Sequence, residues 1–85
     1  MPVYHFHVRD GVTISDTEGQ ELPNLDAARK IAVSYASSLI RELGDAFWNG
    51  SEWALQVTDP AGLIFFELVF FATHAPASHR LPAAS

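Results

Sequence analysis

The chain has no cysteine among its 85 residues, which excludes a disulfide framework and any thiolate metal site. Long hydrophobic runs are missing too. None approaches the ~20 apolar residues that span a bilayer, so no membrane partner is expected. The segment after Met1 lacks the charged start and apolar core of a secretion signal, and the expected location is cytoplasmic. Positive charge is scarce: five Lys and Arg stand against ten Asp and Glu, for a net charge of -5. From Asp10 to Asp26 the chain carries Asp16, Glu18 and Glu21 and no Lys or Arg. A phosphate backbone demands the reverse balance, so direct nucleic-acid binding is not expected.

What is present suits a packed core. Hydrophobic residues make up 48% and aromatics 12%, too much for wholesale disorder. A chain this short forms one domain that buries about 60–65% of its surface, with a stability of roughly 5 kcal/mol. The expected domain covers 1–71. From Ala72 onward Ala, Pro, Ser and His dominate, and 72–85 reads as a flexible C-terminal tail.

The organising stretch is Leu25 to Leu43. Leu25, Ala28, Ala32, Tyr35, Ala36, Leu39, Ile40 and Leu43 recur at helical steps and form one apolar stripe. Asn24 is the expected N-cap, Asp26 suits the positive end of the helix and can meet Lys30, and Gly44 ends it. Around this helix the periodicity changes to two. Tyr4, Phe6 and Val8 alternate with Val3, His5 and His7, predicting a strand from Val3 to Val8 that turns at Arg9-Asp10-Gly11 into a second, Val12 to Ser15. A three-residue loop with Gly11 left-handed keeps one face apolar, pairing Val8 with Val12 and Phe6 with Ile14. Asp16 to Pro23 reads as an acidic connection, and Phe47 to Gly50 as a short apolar loop. Trp53, Leu55 and Val57 mark a third strand. Asp59-Pro60-Ala61-Gly62 fits a type I turn into a fourth, Leu63 to Phe71, with Ile64, Phe66, Leu68 and Phe70 inward. The predicted fold is therefore α+β: two-layer ββαββ, an antiparallel four-stranded sheet covered on one face by a single helix. Periodicity leaves the order of the strands open.

The motifs resemble a family of short bacterial proteins known only as a domain of unknown function. That family's pattern is Met-Pro-x-Tyr-x-Phe-His, Asp-Gly, Glu-Leu-Pro-Asp, an Ala-rich helix, a Val-x-Asp-x-x-Gly hairpin and a Phe-x-Leu-x-Phe strand. Here it is carried by Met1, Pro2, Tyr4, Phe6, His7, Asp10, Gly11, Glu21, Leu22, Pro23, Ala27, Ala28, Val57, Asp59, Gly62, Phe66, Leu68 and Phe70. Asn24 replaces the family's usual Asp and keeps the capping role. The resemblance implies no activity. A weaker similarity, to HicB-type antitoxins, rests on the Tyr-x-Phe strand and Asp-Gly turn.

Candidate chemistry is sparse. His5 and His7 project from one face of a strand and would bind zinc or copper only with a further ligand, for which His74 or His79 would have to fold back. Asp16, Glu18 and Glu21 around Gly19 do not match a calcium loop. A His7–Ser15 or His7–Asp16 contact across the first hairpin would still lack an oxyanion site and a cleft. No nucleophile elbow or phosphate-cradling glycine loop is present. No cofactor, no metal and no enzymatic activity are expected. The fourth strand is more informative. Leu63, Phe65, Val69 and Phe71 are apolar on the face away from the helix, where a sheet covered on one side alternates with polar residues. These four form the expected interface, with self-association as a dimer through the outer sheet face. The alternative is an antitoxin-like acidic regulator that neutralises a basic partner protein.

Overall fold

Ala28, Ala32 and Ala36 are the fully buried residues of helix α1, Leu25–Leu43, and their small side chains bring its axis close to the sheet beneath. Its bounds are those the periodicity predicts. The Asn24 side chain accepts from the Ala27 N–H at 2.9 Å, and Gly44 closes the other end at a φ of 55°, donating its N–H to the Ile40 carbonyl. Asp26 and Lys30 approach to 3.5 Å, both well exposed. The structure, a computed structural model, describes residues 1–50, 52–76 and 80–82.

The strands are β1 (Val3–Asp10), β2 (Val12–Ile14), β3 (Gln20–Glu21), β4 (Glu52–Thr58) and β5 (Ile64–Phe71). All pairings are antiparallel, in the order β2-β1-β4-β5, with β3 joining the same edge of β1 as β2. The two-layer ββαββ plan holds, with β3 as an addition: the acidic connection contains a two-residue strand as well as turns. Phe47 to Gly50, expected as a loop, is one helical turn, α2 (Phe47–Gly50), entered through a 3₁₀ turn at Gly44–Ala46. The described parts of 72–76 and 80–82 hold no helix or strand. Ser51, residues 77–79 and residues 83–85, with His79 among them, lie outside the described residues.

The core gathers Tyr4 and Phe6 of β1, Leu22, the three alanines, and Trp53, Leu55 and Val57 of β4. The alternation that predicted the inward faces of β1 and β4 is therefore the alternation observed. Coverage of the sheet is incomplete. Four strands at a spacing of ~4.8 Å make a sheet roughly 19 Å wide, whereas a helix is only ~10 Å across. The helix lies over the centre and leaves a groove along each flank. One, of mixed character and about 410 Å³, is lined by Phe6, Ile14, Ile31 and Tyr35 together with Ser15, Asp16 and Gln20. The other, of about 300 Å³, lies beside β5 and is lined by Ile40, Phe47, Val69, Phe70 and Phe71.

The first hairpin differs from its expected register. Val8 faces Ile14 and Asp10 faces Val12, so the pairing is shifted by two residues from Val8 with Val12. An even shift keeps every side chain on its face, which is why the apolar pattern alone did not distinguish the two registers. Gly11 does take positive φ, at 78°. A second departure lies in β5. Val57 pairs with Phe66 but Thr58 pairs with Ile64, so a bulge at Phe65 interrupts the alternation. Ile64, expected inward, lies beside Thr58 on the face away from the helix. Phe65, expected outward, sits 5.5 Å ring to ring from the buried Tyr4.

Gly11 has open space around its Cα, so its substitution tests the backbone alone. Gly11→Val is expected to destabilise the fold by ~1–3 kcal/mol, because a β-branched residue resists positive φ. Urea denaturation checks this, and an unchanged midpoint would contradict it.

Candidate functional site

The two long edges of the sheet are built in opposite ways. On the β1 side, the neighbouring strand is broken between Ile14 and Gln20, and Asp16 fills the break. Extending the β2 register places Asp16 opposite Phe6, while β3 resumes with Val3 facing Glu21, two residues out of step. The Asp16 carboxylate stands in for the missing ladder. Its Oδ2 accepts the Phe6 N–H at 3.0 Å, and its Oδ1 accepts the N–H groups of Glu18 at 3.1 Å and Gly19 at 3.0 Å. The Leu22 N–H donates to the Pro2 carbonyl at 3.0 Å beyond β3, so the ladder reaches the end of the strand.

His5 and His7 lock the same loop from the face away from the helix. The Asp16 N–H donates to His7 Nδ1 at 3.0 Å, so the His7 proton sits on Nε2, which reaches Thr58 Oγ1 at 2.9 Å. Thr58 in turn donates to the Asp59 carbonyl at 3.0 Å. At His5 it is Nδ1 that carries a proton: a carbonyl only accepts, so Nδ1 donates to the Asp16 carbonyl at 2.8 Å. The rings stack 6.0 Å apart and nearly parallel. Gly19 has a φ of 75°, and a Cβ there would stand 2.6 Å from Val3 Cγ1 and 2.9 Å from the His5 ring. Glycine is required at this point by conformation and by space alike.

Both histidines expected as incomplete metal ligands thus have ring nitrogens engaged by the Asp16 loop. Among the described residues, no group of three or more His, Asp or Glu side chains is arranged to hold a metal ion. His74 meets the Trp48 ring at 5.7 Å. The expected meeting of His7 and Asp16 does occur, but through the Asp16 backbone N–H, while the carboxylate takes the backbone donors of Phe6, Glu18 and Gly19. The signal available was local: an Asp followed at three residues by Gly is the text of a side-chain-closed turn.

The β5 edge has no such device. Its described strand partner is β4 alone, so the backbone groups on its other side face no strand. It carries Ile64, Phe65, Val69, Phe70 and Phe71 exposed by 53%, 41%, 46%, 38% and 67%. Glu67 is its one charge, accepting from Gln56 Nε2 at 2.6 Å and standing 3.8 Å from Arg9. Arg9 also pairs with Glu52 at 2.8 Å. The face away from the helix is accordingly mostly polar across β1 and β4, with His5, His7, Arg9, Glu52, Gln56 and Thr58 beside Val3 and a buried Ala54, and becomes mainly apolar at β5. The four expected interface residues do not form one row. Val69 and Phe71 share this face, Leu63 lies in the exposed turn, and the bulge carries Phe65 to Tyr4.

Asp16 gives a pH dependence with a definite sign. Burial disfavours its charge, but the N–H groups of Gly19, Phe6 and Glu18 and the nearby His5 outweigh that cost and hold its carboxyl below the ordinary 3.8. A depressed folded-state pKa contributes stability that is complete above about pH 5 and lost as pH falls through the folded value. Asp16→Asn, with one oxygen for donors on both sides, is expected to cost ~1–3 kcal/mol at neutral pH. It should also flatten the loss of stability on acidification. Thermal unfolding from pH 2 to pH 7 measures both, and identical acid limbs in the two proteins would refute the assignment.

No curated protein and no solved structure matches the chain. A family model described as a domain of unknown function does match, over residues 3–72. The ordered motifs from Tyr4 to Phe70 thus lie within a recognised domain, and the chain belongs to the DUF6894 family.

Proposed function

We propose that this domain is a non-enzymatic protein–protein contact module that self-associates through the β5 side of its sheet. The observation that carries the reading is the composition of β5: a strand at the sheet margin with apolar side chains exposed on both faces. Contiguous exposed apolar surface on a small domain usually marks an interface. The reading narrows the expected outer-face patch, because the polar side chains of β1 and β4 on that face are internally paired. The histidines favour a non-enzymatic reading for the same reason, since they hold the Asp16 loop in place. An acidic regulator of a basic partner has less to draw on, because Asp16 in the middle of the acidic run is turned inward.

Light scattering behind a sizing column, across a dilution series, tests the proposal. A dimer is expected for the natural chain. Val69→Glu is expected to weaken it at least ~10-fold, about 1.4 kcal/mol, with the helical circular-dichroism signal unchanged. Val69 suits this test because it is exposed beside Ala54, whereas Phe65 contacts the core. A natural chain that stays monomeric at high concentration would overturn the proposal.

A further inference from the structure

The exposed apolar surface of β5 does not by itself say whether copies meet face to face or edge to edge. We infer that two copies join edge to edge, β5 pairing antiparallel with β5 about a two-fold axis through Leu68, to make one continuous sheet. The inference rests on the self-association reading and names its geometry.

Three observations lead to it. First, among the described residues the two edges are guarded unequally: on β5 only the bulge at Phe65 and the single charge of Glu67 interrupt the margin. The β1 side has short, interrupted strands and a carboxylate in the ladder, which are recognised ways of blocking edge pairing. The β5 edge is eight residues long, without proline or lysine, and regular from Phe66 to Phe71. Second, symmetry limits the registers. Directly opposed residues of an antiparallel pair point to the same face. A two-fold axis normal to the sheet preserves that face, so it must pass through a residue opposed to its own mate. An axis at Glu67 sets two carboxylates against each other. An axis at Val69 pairs Glu67 to Phe71 and sets Glu67 opposite the most exposed phenylalanine. An axis at Leu68 pairs Phe66 to Phe70, ending at the bulge, with Glu67 opposite Val69 and two Phe66–Phe70 aromatic pairs on the helix side. Third, Phe65, Val69, Phe70 and Phe71 present roughly 350 Å² of exposed side chain per copy, taking ~200 Å² for a whole phenylalanine. Two copies bring about 700 Å² before their strand backbones are added, towards the ~1,000 Å² of a specific interface. Both helices lie on one face in this arrangement, and the grooves of about 300 Å³ beside Phe70 are brought towards each other over the joined strands.

The absence of native cysteine makes the test clean. Directly opposed Cα atoms lie ~4.5–5.5 Å apart, inside the ~4.4–6.8 Å that a disulfide spans. Under mild oxidation Leu68→Cys should therefore give roughly tenfold more covalent dimer than Glu67→Cys or Val69→Cys alone, whose own mates lie beyond that range. The double variant Glu67→Cys with Val69→Cys should cross-link as Leu68→Cys does. It also keeps the test alive if the half-buried Leu68 proves intolerant, since both its sites face solvent. Preferential cross-linking of Glu67→Cys alone would overturn the register. A chain that is dimeric by light scattering yet forms none of these cross-links would overturn edge pairing while leaving self-association standing. A chain that is monomeric throughout would defeat both.

Discussion

The ladder between β1 and β4 is the interaction on which the rest of the structure depends. It runs from His5 facing Thr58 to Arg9 facing Ala54 and joins two hairpins that are otherwise separate in sequence. Once these two strands are central, β2 and β3 must lie on one side and β5 on the other. The same pairing sets Tyr4 and Phe6 beside Leu55 and Val57 under the alanines of the helix, and so creates the core. It also brings His7 to Thr58, which anchors the Asp16 loop to β4 across the face of the sheet.

The two margins that follow from this arrangement are physically unlike. An edge strand presents unpaired N–H and C=O groups to any chain of similar shape. On the β1 side a two-residue slip between β2 and β3 breaks the edge, and the Asp16 carboxylate satisfies the donors that the slip exposes. The cost is a carboxylate partly withdrawn from water, offset by three backbone N–H groups and a histidine. On the β5 side no side chain plays that part. A helix too narrow for its sheet leaves the apolar flank beside β5 open as well, so among the described residues backbone and side chains at that margin lack cover together.

Much of the fold was legible from residue spacing. The helix limits, the Asn24 cap, the positive φ of Gly11 and the inward faces of β1 and β4 follow from local rules that act within a few residues. The Asp59 turn does too: the Gly62 N–H donates to the Asp59 carbonyl at 3.0 Å, and the Asp59 side chain accepts from Ala61 and Leu63. What was not legible depended on partners distant in the chain. The hairpin register could slip by two with no change in which side chains meet the core. The bulge at Phe65 leaves no mark in a run where every neighbour is apolar. The roles of His5, His7 and Asp16 needed the β1–β4 pairing and the loop together, and a His-x-His pattern seen alone suggests a chelate instead. The row of apolar residues on β5 was visible, but its meaning changed once the strand lay at a margin and its outward face was polar elsewhere.

Amide hydrogen exchange across a concentration series is the most direct measurement of the central claim, that the β5 margin is a pairing edge. In Phe66 to Phe71 alternate amides point away from β4. These amides are expected to slow as the chain is concentrated, towards the protection of the β4 amides. The same amides exchanging as freely as the residues after Phe71, at every concentration, would contradict it.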